Sequence, residues 1–206
     1  MRYIDVRKTG TDLSVIVVFT AFAAAVRLLF LTHPAPWADE FFSISYIRQS
    51  FLDLINLHRD TDVHPPLYYI LLKSLSFIFG DSIFGFRALS VLFGVASVPF
   101  FYLIARDRLG SKVAVVSTLF FCVLPIHVHF SREIRMYSAL SFFLIVAQYC
   151  FFSLAYETVK YSARKMILSI GFLLSLSASF YTNYTNLCRS FLLCPIIYNR
   201  ICKLFL

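Results

Sequence analysis

Long uncharged apolar runs alternate with short polar segments along this chain. Runs long enough to span a bilayer are Leu13–Thr32, Ile83–Ala105, Val113–His129, Ser138–Tyr156 and Met166–Tyr181, with Leu187–Ile201 as a weaker sixth. A helix rises 1.5 Å per residue, so about 20 apolar residues cover a hydrocarbon core roughly 30 Å thick. Leu67–Phe79 is apolar too but falls well short of that length. Ala38–Arg59 reads differently, as an amphipathic helix. Phe41, Ile44, Ile47, Phe51, Leu54 and His58 recur at steps of three or four, with Asp39, Ser43, Ser50 and Asp53 roughly opposite. The pattern predicts an all-α fold, a polytopic membrane helical bundle of about six spans. Residues 1–206 read as one integral-membrane domain, 33–82 as an outer loop carrying two interfacial helices, and 187–206 as an atypical tail.

Composition agrees. Of the 206 residues 59% are hydrophobic, against the 45–50% apolar usage of ordinary soluble domains. The formal charge is +8, but it comes in short clusters between apolar runs, which is the habit of membrane loops rather than of a nucleic-acid patch. The five cysteines lie in or beside apolar runs and form no CxxC pair, which argues against zinc and redox chemistry. No GxGxxG, Walker or HExxH motif is present, so a nucleotide-sugar donor is not favoured. The first apolar run is too long for a signal-peptide core of roughly 7–15 residues and reads as an uncleaved anchor.

The basic clusters orient the spans. Arg2, Arg7 and Lys8 precede the first run and place the N-terminus in the cytoplasm. If Leu67–Phe79 does not cross, Arg106–Lys112, Lys160–Lys165, Arg200 and Lys203 all fall on the cytoplasmic side; if it crosses, those clusters fall outside. Leu67–Phe79 is therefore expected to be an interfacial or re-entrant helix. The outer side then receives residues 33–82, 125–138 and 181–186. It holds all five histidines, Trp37, the acidic pair Asp39–Glu40, and Arg132, Glu133 and Arg135.

These residues carry the candidate chemistry. Asp39 suits an N-cap after Pro36, with Glu40 complementing the helix dipole. It equally suits a carboxylate held at the membrane surface to accept a proton from a hydroxyl, and the two readings are compatible. His64 precedes two prolines, so the chain is extended there and a helix begins near Pro66; Tyr68 and Tyr69 read as interfacial belt residues. Arg132 and Arg135 are three apart, on one face if helical, and paired guanidiniums suit a phosphate. The plainer alternative is an ion pair with Glu133 and snorkelling to headgroups. Arg87 lies near the outer start of its run and faces the same region; Arg27, near the outer end of the first run, is expected to snorkel. His127 and His129 are two apart, which suits a strand better than a helical metal pair. Asn183-Tyr184-Thr185 is a glycosylation sequon, but it abuts a span end, where modification is not expected. No cofactor is expected, although the carboxylates could hold a divalent cation.

In order along the chain, WADEFF, HPPLYYILL, FGDSIFGFRALSVLFG, LPIHVHFSREIRMYSAL and YTNYT resemble the membrane glycosyltransferases of the GT-C superfamily. In particular they resemble glycosyltransferase family 39, the protein O-mannosyltransferase and aminoarabinose-transferase-like group. The likeness covers about Arg27 to Asn186 and rests on several motifs in sequence, each weak alone. It implies two helices lying along the membrane in the first outer loop. It also implies Asp39 as catalytic base with Glu40 as its neighbour, and a polyprenyl-phosphate-linked sugar donor, dolichyl or undecaprenyl. By position, His64, Arg87, Arg132 and Arg135 are the candidates to hold the lipid phosphate. Transfer to a hydroxyl acceptor would invert the sugar and occur on the non-cytosolic face of a plasma, bacterial inner or endoplasmic reticulum membrane. Members of that family run to several hundred residues, and residues 187–206 do not resemble their next helix. A truncated N-terminal part, inactive alone, is therefore expected. The rival readings are a lipid-phosphate transporter or flippase, with the arginines lining a path, and a non-catalytic remnant. No inverted repeat or Gly/Pro-broken span pair supports the transporter.

Overall fold

The computed structural model describes residues 9–33, 35–54, 65–156 and 162–183, and among these it contains helices and turns but no strand. Helix α1 spans Thr9–Leu28, α2 Ala38–Ile47, α3 Leu67–Phe79, α4 Ile83–Leu109, α5 Ser111–Val123, α6 Pro125–Phe130, α7 Tyr137–Tyr156 and α8 Ser162–Phe180. α4 is central: it packs on α1, α3, α5 and α7, and α8 lies against α7. Three segments are long and apolar enough to cross a membrane, Ile83–Leu109, Tyr137–Tyr156 and Ala163–Phe180. On α8, Met166, Ile167, Ile170, Leu173 and Leu174 form an exposed apolar stripe. Such a stripe is costly in water and natural against lipid tails. The chain is an integral membrane protein built as a helical bundle.

Local chemistry sets the helix ends. α4 starts where Ser82 Oγ accepts the Gly85 N–H at 3.1 Å, satisfying one of the donors a helix start leaves open. It ends at Gly110, whose φ of 87° lies in the region that suits glycine. Arg106 and Arg108 occupy its last turn, where positive charge complements the negative end of the helix dipole.

Polar contacts gather the helix ends onto two faces. On one, Asp12 of α1 accepts from Tyr102 and Arg106 of α4, both at 2.9 Å. Arg108 there donates to Phe152 O at 3.0 Å and lies 3.6 Å from the Tyr156 ring centre. On the other, Arg87 of α4 donates to Leu31 O at 2.7 Å, Ser138 of α7 donates to Ser90 O at 2.7 Å, and the Leu67 N–H meets Tyr181 O at 3.2 Å. Both ends of α3 stay on this second face, since Asp81, just beyond it, pairs with Arg48 at 3.1 Å. α3 therefore does not connect the two faces. The segments grouped on one side by the charge argument share this face wherever the structure describes them.

Three sequence expectations are corrected. The single span expected over Val113–His129 is two helices, because Pro125 lacks an N–H and its ring drives the preceding residue out of the helical region. Leu124 accordingly has ψ 115°. The amphipathic helix expected over Ala38–Arg59 stops at Ile47. There Lys73 Nζ donates to Ile47 O at 2.8 Å and also to Gln49 O, placing a cation on the carbonyl end of α2. Ser50 Oγ then accepts the Asp53 N–H at 3.1 Å, starting a separate helical turn over residues 51–54. Tyr68 and Tyr69 are not belt residues, each being 1% exposed.

The main buried cluster lies on the second face, where Ile44, Ile47, Leu72, Phe86, Leu89 and Ile134 meet. Tyr68 crosses it to bond Ser90 Oγ at 2.9 Å, and Ser90 donates onward to Arg135 O at 3.2 Å. Tyr68→Phe removes the first link and should lower unfolding free energy by about 1 kcal/mol, measured by denaturant unfolding in detergent.

Candidate active site

α2 turns Glu40, Ser43, Ile44 and Ile47 inward and leaves Phe41 and Phe42 exposed. This is rotated from the expected face, on which Phe41 was inward and Ser43 outward. The cause is an ion pair. Arg87 grips Glu40 with two parallel bonds, Nε to Oε1 at 3.0 Å and Nη2 to Oε2 at 2.7 Å. Both side chains are all but fully buried, at 3% and 1%. Glu40 Oε1 also accepts the Ile134 N–H at 2.8 Å, and Arg87 Nη1 donates to Leu31 O. A charge taken out of water this far needs such a full set of partners. One carboxylate thus ties together α2, α4 and the turn that precedes α7. Ser43 buries its hydroxyl by donating to Asp39 O at 3.1 Å.

Asp39, one residue earlier, has a different setting. The N-cap of α2 is Trp37, which offers no side-chain bond. Asp39 is therefore not the cap that its position after Pro36 suggested, and lies instead within the first turn. Its side chain is 45% exposed, and its Oδ2 is 3.6 Å from Nη2 of the buried Arg135. Burial works against the Arg135 charge, but Tyr69, Tyr137 and Asp39 outweigh it and hold its pKa above the ordinary arginine value. The adjacent acids thus divide: Glu40 is a buried anchor, Asp39 a half-open carboxylate facing a cation.

The other candidates separate as well. Residues 131–136 form turns and bends, so the spacing of three does not put Arg132 and Arg135 on one face. Arg132 is half-exposed and donates to Phe30 O at 2.8 Å. Phe30 is the one non-glycine residue of positive φ, 55°, among the described residues. Glu133 pairs with His129 at 3.1 Å rather than with either arginine; burial holds its carboxyl above the ordinary range, and His129 offsets this only in part. His127 and His129 sit on helix α6. His64 lies outside the described residues, as do the Leu187–Ile201 run and the whole 187–206 tail. Among the described residues no three His, Cys, Asp or Glu side chains converge as a metal site would need.

Sequence reasoning misjudged Arg27. It is fully buried rather than snorkelling. It donates to Ala23 O and Cys122 O, both at 3.1 Å, and its Nη2 lies 2.7 Å from His127 Nδ1. The signal available was a charge within an apolar run, which usually faces protein.

The family model described as dolichyl-phosphate-mannose-protein mannosyltransferase matches residues 63–201. That match includes Arg87, Arg132 and Arg135 and extends into the tail set apart by sequence. It begins after Asp39 and Glu40, so those two rest on the WADEFF motif and on their contacts with Arg87 and Arg135. No curated protein and no solved structure matches the chain. The match covers more than half of the sequence and shows that the chain belongs to the dolichyl-phosphate-mannose-protein mannosyltransferase family, a family of membrane glycosyltransferases.

Proposed function

We propose that this face transfers a sugar, mannose by the family's description, from a polyprenyl-phosphate donor to a hydroxyl acceptor, with inversion, on the non-cytosolic side of the membrane. The observation that carries this reading is the approach of half-exposed Asp39 to buried Arg135, at 3.6 Å. The donor's isoprenoid tail lies in the bilayer and its phosphate reaches the interface. Arg135 then exchanges Asp39 for the phosphate, which frees the carboxylate as donor binds. Asp39 takes the proton of the acceptor hydroxyl as that oxygen bonds to C1. The C1–O bond to phosphate breaks on the opposite side, and polyprenyl phosphate leaves with the electron pair. Arg135 stabilises the charge developing there, and confinement to one interface favours alignment. Arg132, half-exposed on the same turn, is the second phosphate donor. Arg87 is committed to Glu40 and Leu31 O, so its role is to position rather than to bind.

The test is transfer of labelled sugar from polyprenyl-phosphate mannose in membranes containing the full chain; binding of the donor without transfer would favour a transporter or a non-catalytic remnant. Affinity has its own readout, since Trp37 is the only tryptophan and sits at the start of α2. Arg135→Gln should weaken undecaprenyl phosphate binding by about 10- to 100-fold, the worth of a hydrogen bond to a charged group, followed by Trp37 quenching.

A further inference from the structure

Arg27 brings a charge into the bundle, and no carboxylate pairs with it among the described residues. Its acceptors explain how it is tolerated. Ala23 O lies one turn back on the same helix, α1, and Cys122 O in the last turn of α5, which ends at Val123. The guanidinium thus reaches back one turn along its own helix and meets the C-terminal end of α5, which presents the negative end of its dipole. The third acceptor, His127 Nδ1, lies on α6 just past the Pro125 break. Arg27 therefore joins α1 to both sides of that break.

Gly94 of α4 closes the same knot. A Cβ at position 94 would overlap Ser131 Oγ, and would lie 2.8 Å from Ser131 Cβ and 3.1 Å from Arg27 Nε. Ser131 in turn donates to His127 O at 2.6 Å. Ser131 opens the turn that supplies the Ile134 N–H to Glu40 and Arg135 to Asp39. We propose that Arg27, Gly94 and Ser131 are positioning residues: they dock the α5–α6 break against α1 and α4, and so set the distance of Arg135 from Asp39. The phosphate arm of the test rests on the function proposed above; the geometric arm does not.

The test compares wild type, Gly94→Ala and Gly94→Ala/Ser131→Gly in detergent, each checked for helix content and monodispersity. Trp37 emission reports the setting of α2 without ligand, and its quenching by undecaprenyl phosphate reports affinity. The expected result is a shifted emission and affinity at least about tenfold weaker in folded Gly94→Ala, since displacements of about 1 Å in such sites can cost about 10²-fold. The double variant removes both overlapping Ser131 atoms but also the Ser131 bond to His127 O, so it should recover part of both. Wild-type emission and affinity in folded Gly94→Ala would overturn the proposal, as would a double variant no closer to wild type than Gly94→Ala. If Gly94→Ala does not fold, Arg27→Lys is read the same way. It keeps the charge but loses the fork, and wild-type values in it overturn the proposal. If wild type itself does not bind undecaprenyl phosphate, the phosphate role of Arg135 fails, and Trp37 emission alone decides whether these residues position α2.

Discussion

Asp39→Asn should reduce sugar transfer by about 10²- to 10⁴-fold, the usual contribution of a positioned general base, while the protein folds as before. The substitution keeps size and shape and removes only the capacity to take a proton. Stability should be spared for two reasons. The side chain is 45% exposed, and its pairing with Arg135 is too long for a hydrogen bond, so little is lost when the charge goes. Donor affinity should hold or rise slightly, because Arg135 no longer exchanges a carboxylate for the phosphate. The combination of lost transfer, retained undecaprenyl phosphate binding and unchanged unfolding separates a base from a structural acid. Wild-type turnover in Asp39→Asn would remove Asp39 from the chemistry, and a loss of fold would reduce it to a packing residue. Asp39→Glu keeps the proton acceptor on a longer arm and should retain part of the activity.

The long apolar helices and the grouping of polar segments were legible because both are one-dimensional signals. Apolar length marks α4, α7 and α8, and basic clusters sort the polar segments into two groups that the structure then places on two faces. Leu67–Phe79 is apolar like the longer runs, and it was charge rather than hydropathy that set it apart from them; the helix there is 13 residues long. What failed depended on backbone angles or on partners far along the chain. Hydropathy runs straight through Leu124-Pro125, yet ψ at Leu124 ends α5. The spacing of Arg132 and Arg135 means one face only in a helix, and residues 131–136 are not helical. Glu40 and Asp39 are neighbours with equivalent side chains. Their roles part only because Arg87 and the Ile134 N–H, distant in sequence, converge on one of them. Arg27 likewise had a lipid-facing and a protein-facing option, and His127, 100 residues away, decides between them.

The largest stability effect should come from the other acid. Arg87→Met leaves Glu40 buried without its counter-charge, and Glu40→Met strands Arg87; each should cost about 3–5 kcal/mol, the usual result of breaking one side of a buried pair. The double variant Glu40→Met/Arg87→Met should be more stable than either single one, because two apolar side chains of similar length need no solvation. It should not regain all of the wild-type value, since the Ile134 N–H then has no acceptor, at about 1–3 kcal/mol for a buried group. Denaturant unfolding of the four proteins in one detergent gives the coupling directly. Stability and transfer should part company in the double variant. With Glu40 gone, the turn at Ile134 loses its hydrogen bond to α2, so Arg135 is less firmly held against Asp39. Refolded bulk with transfer still low would show that the buried pair serves the geometry of the site. Singles as stable as wild type would mean that the pair is not buried as described, and the division of labour between Glu40 and Asp39 would fall with it.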